Sequence, residues 1–234
     1  ETRKILKHHR PDLDISISSE VAPEIREYER FSTTVCNAYV QPLMAKYLSR
    51  IKAGLEKKDI YSPFLLITSG GGLTTLETAR KFPIRLVESG PAGGAILASK
   101  LSSQLGSNAS LSFDMGGTTA KLCLINAGEP TLSRQFEVDR SYRFKKGSGL
   151  PLKIPVIEML EIGAGGGSIA HVDKISRIKV GPESAGSNPG PASYNLGGSD
   201  PTVTDADLFQ GKMVVENFPF DLNIENAKKA INKH

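Results

Sequence analysis

The sequence predicts an α/β fold built on a mixed sheet, and three observations carry that prediction. Two segments share one plan of apolar strand, glycine turn and helix: "FLLITSGGGLTTLETARK" at 64–81 and "IRLVESGPAGGAILASKLSSQLG" at 84–106. A run of alternating apolar residues broken by turn signals follows over 110–138, and it reads as an antiparallel meander. Upstream, residues 33–57 show an apolar residue every fourth position. An antiparallel meander joined to βα units makes the sheet mixed.

Taken in order, "TRKILKHH" predicts a helix end. Pro11-Asp12 turns the chain, and "DISIS" follows as a short alternating strand. His8-His9 read as a solvated helix end, because adjacent helical residues point in different directions. In the long helix, Val35, Tyr39, Leu43, Tyr47, Ile51 and Leu55 form the stripe expected to face the core, widened by Met44 and Leu48 beside Ile51. Ser32 or Thr33 can cap it. Pro42 lies inside it and should kink or split it, at about 3 kcal/mol locally.

In both βα segments a helix N-terminus is expected to follow the glycines, where unpaired amides and the dipole favour an anion. At Gly90-Pro91 a second reading stands beside this one: Pro simply starts the helix. The meander predicts three strands, turning at Gly116-Gly117 and at 126–129. Residues 139–150, rich in charge and glycine, predict a mobile loop. The densest glycine cluster, Gly163, Gly165, Gly166 and Gly167, precedes a hairpin that turns near Asp173-Lys174. Residues 181–200 have no periodicity, and their prolines and glycines suggest an ordered wrapping loop. "TVTDADLF" returns to helix, with Thr204 as the cap and Asp205 and Asp207 in the first turn.

Composition narrows the function. The chain has 234 residues, enough for one large domain or two small ones, with a sub-boundary expected near residue 60. Net charge is +4, from Arg3, Lys4, Lys7 and Arg10 and from Arg143, Lys145 and Lys146 among others. Aromatics alternate with these basic residues only at Tyr142 and Phe144, and no extended aromatic-interleaved basic patch forms, which argues against nucleic acid. Cys36 and Cys123 are far apart and match no metal spacing. That suits a reducing, cytoplasmic setting. No apolar run is long enough to span a membrane, and no signal peptide is visible at the start. The first residue is Glu1 and the last residues, "ENAKKAINKH", form a helical pattern. The expectation is a piece of a longer protein.

"SFDMGGTTAKLCLI" concentrates the chemistry. Locally, Gly116-Gly117 is a two-residue hairpin loop that uses glycine's freedom at positive φ. The same residues suit a phosphate cradle. Backbone amides can approach an anion where no Cβ intervenes. Thr118 and Thr119 add hydroxyls, and Asp114 can hold the divalent cation of a nucleotide. Local sequence leaves both readings open.

The order of motifs adds a family. "SEVAPEIREYERFSTTVCNAY", "SFDMGGTTAK", "IGAGGGSIAHVD", "VGPESAGSNPGPASY" and "PTVTDADL" together resemble the hydantoinase A/5-oxoprolinase family over residues 20–212. That family includes N-methylhydantoinases, 5-oxoprolinase and acetone and acetophenone carboxylase subunits. The resemblance implies an actin/hexokinase-like ATPase domain, the second of two related ones. It implies ATP and Mg2+ as cofactors. Asp114, Gly116, Gly117, Thr118 and Thr119 would form the second phosphate hairpin, with Asp114 on the metal. Gly165, Gly166, Gly167 and Ser168 would form the nucleoside-side segment. Many members carry an aspartate where this chain has Lys121. The family's first Asp-x-Gly-Gly-Thr hairpin has no counterpart in these residues, so one wall of the ATP cleft is expected here.

The implied chemistry is activation of a cyclic amide carbonyl (hydantoin or 5-oxoproline) by phosphorylation before ring opening. Asp205 and Glu183 are candidate catalytic acids beside Asp114; each can equally serve as a cap or a loop hydrogen bond. His171 reads as an ordinary strand residue. Other readings are an ATP-dependent ketone carboxylase subunit, a small-molecule kinase and a non-catalytic actin-like subunit. The implied partners are a cyclic amide or ketone substrate and a B-type hydantoinase subunit or domain.

Overall fold

The computed structural model describes residues 1–142, 145 and 147–233. Arg143 and Lys146, part of the predicted basic loop, lie outside the described residues. The chain forms two compact units: residues 1–110 with 124–158, and residues 111–123 with 159–234. Residue 60 falls within the first.

In chain order the first unit opens with helices α1 (Thr2–His9), α2 (Ser18–Val21) and α3 (Glu27–Glu56). Strands β1 (Leu65–Ile67) and β2 (Leu73–Thr75) follow, then α4 (Leu76–Lys81) and α5 (Ser89–Gln104). Strands β3 (Ala109–Met115) and β4 (Ala120–Asn126) come next, and residues 111–123 of this hairpin belong to the second unit. The strand expected after them is broken into β5 (Glu129–Pro130), β6 (Leu132–Ser133) and β7 (Phe136–Val138). The first unit ends with β8 (Leu150–Leu152) and β9 (Val156–Ile157). The second unit continues with β10 (Leu160–Ile162), β11 (Ser168–Val172), β12 (Ile178–Ser184), α6 (Val203–Phe209) and α7 (Ile224–Lys233). The chain is thus α/β. β4 lies between β3 and β10, and it also pairs with β5.

Several expectations change. "DISIS" forms no strand; residues 13–17 lead into α2. Residues 83–86 form a 3-10 turn that starts at Pro83 and buries Ile84. Glycines 70–72 join the antiparallel strands β1 and β2, so α4 follows β2 and not the glycines. Its cap is Thr75, whose hydroxyl accepts from Thr78 N–H. Gly90 and Pro91 sit inside the first turn of α5.

The long helix departs most. It starts at Glu27, and Pro42 does not divide it. Ser32 and Thr33 lie inside it, and their hydroxyls bond back to the Glu29 carbonyl. The N-terminal part of the apolar stripe predicted to be core is exposed, with Val35 65%, Tyr39 86%, Leu43 73% and Tyr47 53%, while Met44, Ile51 and Leu55 are half-buried. Leu48, also on the predicted stripe, is buried, and the rest of the buried face carries Thr33, Asn37 and Gln41. Polar burial is tolerated there because each group is partnered. Asn37 donates to Ser16 Oγ at 2.9 Å and to the Lys81 carbonyl at 3.1 Å, and it accepts from Ile84 N–H. Thr33 accepts from Lys153 N–H at 2.8 Å.

Two apolar clusters stabilise this unit. Val21, Ile84, Leu152, Ile154 and Val156 form one, flanked by Cys36 and Phe136. Leu48, Leu76 and Ala79 form the other, with Phe64 and Leu66. Of the charged loop at 139–150, the Gly147 N–H is held by the Glu137 carboxylate at 2.8 Å. Among the described residues, no helix is long and apolar enough to cross a membrane.

Three helices meet at one carboxylate. Glu20 takes a bidentate pair of bonds from Arg3, both 2.8 Å, and a third from Lys81 at 2.7 Å. The Arg3 guanidinium first, and Lys81 second, hold its pKa down to about 2. A depressed carboxylate adds stability that is fully present above its unfolded pKa and lost as pH falls toward the folded value. The prediction is that Glu20→Gln lowers the melting temperature at pH 6–7. The gap from the unmodified protein should close as pH drops from about 4.5 to about 2. A gap that stays constant over that range would show that the pair has no role in acid stability.

Candidate functional site

The predicted phosphate hairpin exists, with a different turn. β3 ends at Met115 and β4 begins at Ala120. Residues 116–119 connect them, closed by a bond from Gly116 N–H to the Thr119 carbonyl at 2.9 Å. Neither Gly116 nor Gly117 has positive φ, so the two-residue loop with left-handed glycines does not form. The need for glycine comes from a neighbour. A Cβ on Gly165 would lie 2.6 Å from both the Gly116 oxygen and the Thr118 nitrogen. A Cβ on Gly117 would meet nothing within 4 Å.

That close approach fastens the turn to the glycine cluster. Gly166 N–H donates to the Gly116 carbonyl at 2.9 Å, and Gly167 N–H to the Gly117 carbonyl at 2.7 Å. In a trans peptide the C=O and the following N–H point in opposite directions. With both carbonyls turned onto the glycine loop, the N–H groups of Gly117 and Thr118 point away from it. Neither N–H has a partner among the described residues. Two successive free amides are a concave donor set for an anion.

The glycine loop is itself tied down. Ser168, fully buried, accepts from Gly165 N–H at 2.8 Å. Thr204 donates to the Gly166 carbonyl through both its N–H and its hydroxyl, each at 2.8 Å. Ala185 N–H donates to the Gly167 carbonyl at 2.8 Å. Thr204 therefore holds the loop and is not the helix cap. The cap of α6 is Thr202, in a reciprocal capping box with Asp205.

Asp205 needs reassignment as well. It is completely buried. Its carboxylate accepts from Ala192 N–H (3.1 Å), Ser193 N–H (2.8 Å), Thr202 N–H (3.0 Å) and the Thr202 hydroxyl (2.9 Å). Three of these donors meet Oδ2 and one meets Oδ1, so the buried carboxylate is held as a structural acceptor. It orders the 181–200 segment, whose residues 190–193 are buried. Burial, and then the nearby Asp205, raise the Tyr194 phenol.

The second unit contains a cleft of about 400 Å3. Gly116, Gly117 and Thr118 line it, with Gly166, Gly167 and Thr204. Sequence reasoning missed the remainder: Tyr194, Met213 and Phe218, together with Met115, Gly186, Ser187 and Pro191. Gly165, Ser168 and Thr119 stand outside the lining; the first two support the loop from within. Asp114 is exposed at the end of β3, one residue from the lining, and its carboxylate has no partner among the described residues. Glu183 is exposed on β12, and His171 is exposed on β11. Lys121 sits opposite Glu161 across the β4–β10 pair.

Two stability predictions follow from this geometry. Gly165→Ala should destabilise by roughly 1–3 kcal/mol, because its methyl meets backbone that cannot swing aside. Gly117→Ala should leave the melting temperature nearly unchanged. Equal losses in the two variants would contradict the packing described. Separately, Asp205→Asn should cost about 1–3 kcal/mol, because an amide NH2 would then face N–H donors. Denaturant midpoints measure this. An Asp205→Asn protein of unchanged stability would return Asp205 to the candidate bases.

The hydantoinase/oxoprolinase family model matches residues 30–234. An uncharacterized protein of Methanocaldococcus jannaschii is 40% identical over 238 residues, which covers 100% of this chain and 35% of that one. The crystal structure of the ATP-dependent caprolactamase from Pseudomonas jessenii superposes with a TM-score of 0.69 at 35% identity, covering 99% of this chain and 33% of that one. The nucleotide-free structure of acetone carboxylase gives 0.72 at 28% identity, covering 93% and 30%. The chain therefore spans about a third of the length of the proteins it matches. Its helix-and-sheet arrangement is consistent with an actin-like ATPase-type fold. On the family match, the chain belongs to the hydantoinase/oxoprolinase family.

Proposed function

We propose that the cleft of the second unit receives the phosphates of ATP, and that the whole protein uses ATP to open a cyclic amide. The observation that carries this reading is the pair of free amides at Gly117 and Thr118, on a turn anchored through its carbonyls. A rigid donor set needs no reorganisation when charge develops on a transferring phosphoryl group. The Thr118 hydroxyl adds a donor beside it. Gly166 and Gly167 form the neighbouring wall, the nucleoside-side segment of this reading.

Asp114 fits a divalent cation: it is an exposed, unpartnered carboxylate beside the turn. Mg2+ typically takes one or two carboxylates plus substrate phosphates. When bound, the cation would neutralise phosphate charge. Glu183 is the acid we assign to proton transfer, and Asp205 positions the loop.

A ring amide carbonyl is a weak electrophile. Its oxygen attacks the γ-phosphorus, ADP departs, and an imidate phosphate remains. Water then adds to the activated carbon, the ring C–N bond breaks with a proton passing to the departing nitrogen, and a second water hydrolyses the resulting acyl phosphate to release phosphate. A B-type subunit or domain would complete the enzyme. The likeness to the acetone carboxylase structure favours a second reading, in which an enolate oxygen takes the phosphoryl group from ATP and the enol phosphate then captures carbon dioxide as its O–P bond breaks and the phosphoryl group passes to water. Dependence of product formation on bicarbonate separates the two.

The test is Asp114→Ala in the full-length protein. Substrate-dependent ATP turnover should fall by roughly 100-fold or more, chiefly in kcat. Thermal stability should stay within about 0.5 kcal/mol, since the residue is exposed and away from the core. An active, stable Asp114→Ala enzyme would leave the hairpin as a turn and nothing more.

A further inference from the structure

The cleft has a part that phosphate does not explain. Tyr194, Phe218, Met213 and Pro191 line it beside the backbone amides. The Tyr194 and Phe218 rings are 5.8 Å apart between centroids, and Phe220 packs edge-on against both, at 5.1 and 5.3 Å. Such tilted and edge-on contacts are the favoured geometry for aromatic pairs, and they brace one another.

The wall is placed by backbone. Tyr194 follows directly after Ala192 and Ser193, whose N–H groups the buried Asp205 carboxylate holds. Asn223 N–H bonds the Ser193 carbonyl at 2.8 Å. At Gly190 a Cβ would lie 2.7 Å from the Tyr194 ring, so only glycine there allows the ring its position. A side chain fixed before the ligand arrives loses little entropy on binding.

The polar side chains of the lining are the hydroxyls of Thr118, Ser187, Tyr194 and Thr204. A hydroxyl both donates and accepts. Among the described lining residues there is no side-chain amide, carboxylate or cation. A flat ring placed here would gain stacking and burial. Its edge would meet no side chain able to distinguish an amino group from an oxo group.

We propose that Tyr194, Phe218 and Met213 form a nucleobase subsite that binds by stacking and does not read the base edge. The inference rests on the reading that this cleft takes ATP. Two consequences are measurable. The base adds affinity beyond the phosphates, and GTP binds within about tenfold of ATP. Sites built on base-edge hydrogen bonds reject the wrong partner by around 10^4.

Calorimetry on the full-length protein with magnesium and ATP, GTP or inorganic tripolyphosphate tests this. The unmodified protein should bind ATP at least tenfold more tightly than tripolyphosphate. Phe218→Leu and Tyr194→Leu should each weaken ATP and GTP by roughly tenfold, as loss of one stacking partner does. Tripolyphosphate affinity should not change. Met213→Ala leaves the ring trio intact and should show the same pattern more weakly, which guards against a ring variant that fails to fold. Tripolyphosphate binding as tightly as ATP, or variants that weaken all three ligands alike, would overturn the subsite and leave the phosphate reading standing. A preference for ATP over GTP beyond 100-fold would overturn the absence of edge reading. If neither ATP nor tripolyphosphate binds, both readings fall together.

Discussion

Two backbone hydrogen bonds decide the character of the second unit. Gly166 and Gly167 donate to the carbonyls of Gly116 and Gly117. Because peptides are planar, fixing those carbonyls also fixes the direction of the next two amides. The contact requires the loop backbone to lie against the turn at a distance that excludes a side chain, and Gly165 supplies that. Three segments far apart in sequence then converge on the loop, Thr204 on Gly166, Ala185 on Gly167 and the turn itself, while Ser168 closes Gly165 from within it. Each closes a group that would otherwise be a buried unpaired carbonyl or amide.

A second hub sits behind the first. The Asp205 carboxylate gathers Ala192, Ser193 and Thr202 while capping α6. α6 carries Thr204, which holds Gly166, and residues 192–193 lead into Tyr194, which lines the cleft. One buried charge thus connects the glycine side and the aromatic side of the same cavity. Burying a carboxylate is costly unless its lone pairs are filled. Here three backbone amides and one hydroxyl donate to it in place of a cation.

Legibility in the sequence was uneven, for physical reasons. The β3 and β4 strands, the hairpin after the glycine cluster and the helix at 203–209 were readable because alternation and helix-start residues are local signals, although the cap is Thr202 and not Thr204. The role of Gly117 was misread, because φ cannot be known from residue type alone. Thr204 and Asp205 are both first-turn residues of one helix, and only the tertiary partners separate a loop clamp from a capping acid. The α3 stripe marks another limit. Periodicity shows that Val35, Tyr39, Leu43 and Tyr47 share a face, but it says nothing about what packs there. The opposite row, Thr33, Asn37 and Gln41, is buried because its hydrogen bonds are met by Ser16, Lys81, Ile84 and Lys153. Tyr194, Met213 and Phe218 were invisible because scattered apolar residues in irregular segments carry no pattern.

The relation between rigidity and exposure completes the account. The atoms proposed to meet phosphate, the Gly117 and Thr118 amides and the Asp114 carboxylate, belong to exposed residues. The atoms that hold those residues in place, on Gly165, Ser168, Thr202 and Asp205, lie behind them, and the last three of these residues are fully or almost fully buried. A substitution in the second group changes the first only by changing the fold, whereas a substitution in the first leaves the fold alone. This separation follows from solvent competition. A donor meant for an anion has to remain reachable, so its direction must be set by bonds on the far side of the same peptide. Glycine is needed behind the turn, where backbone meets backbone, and polar side chains are needed one layer deeper, where no water can serve. The sequence pattern Asp-x-Gly-Gly-Thr-Thr describes only the outer layer. Gly165, Ser168 and Asp205, distant along the chain, determine whether that outer layer can present its amides at all.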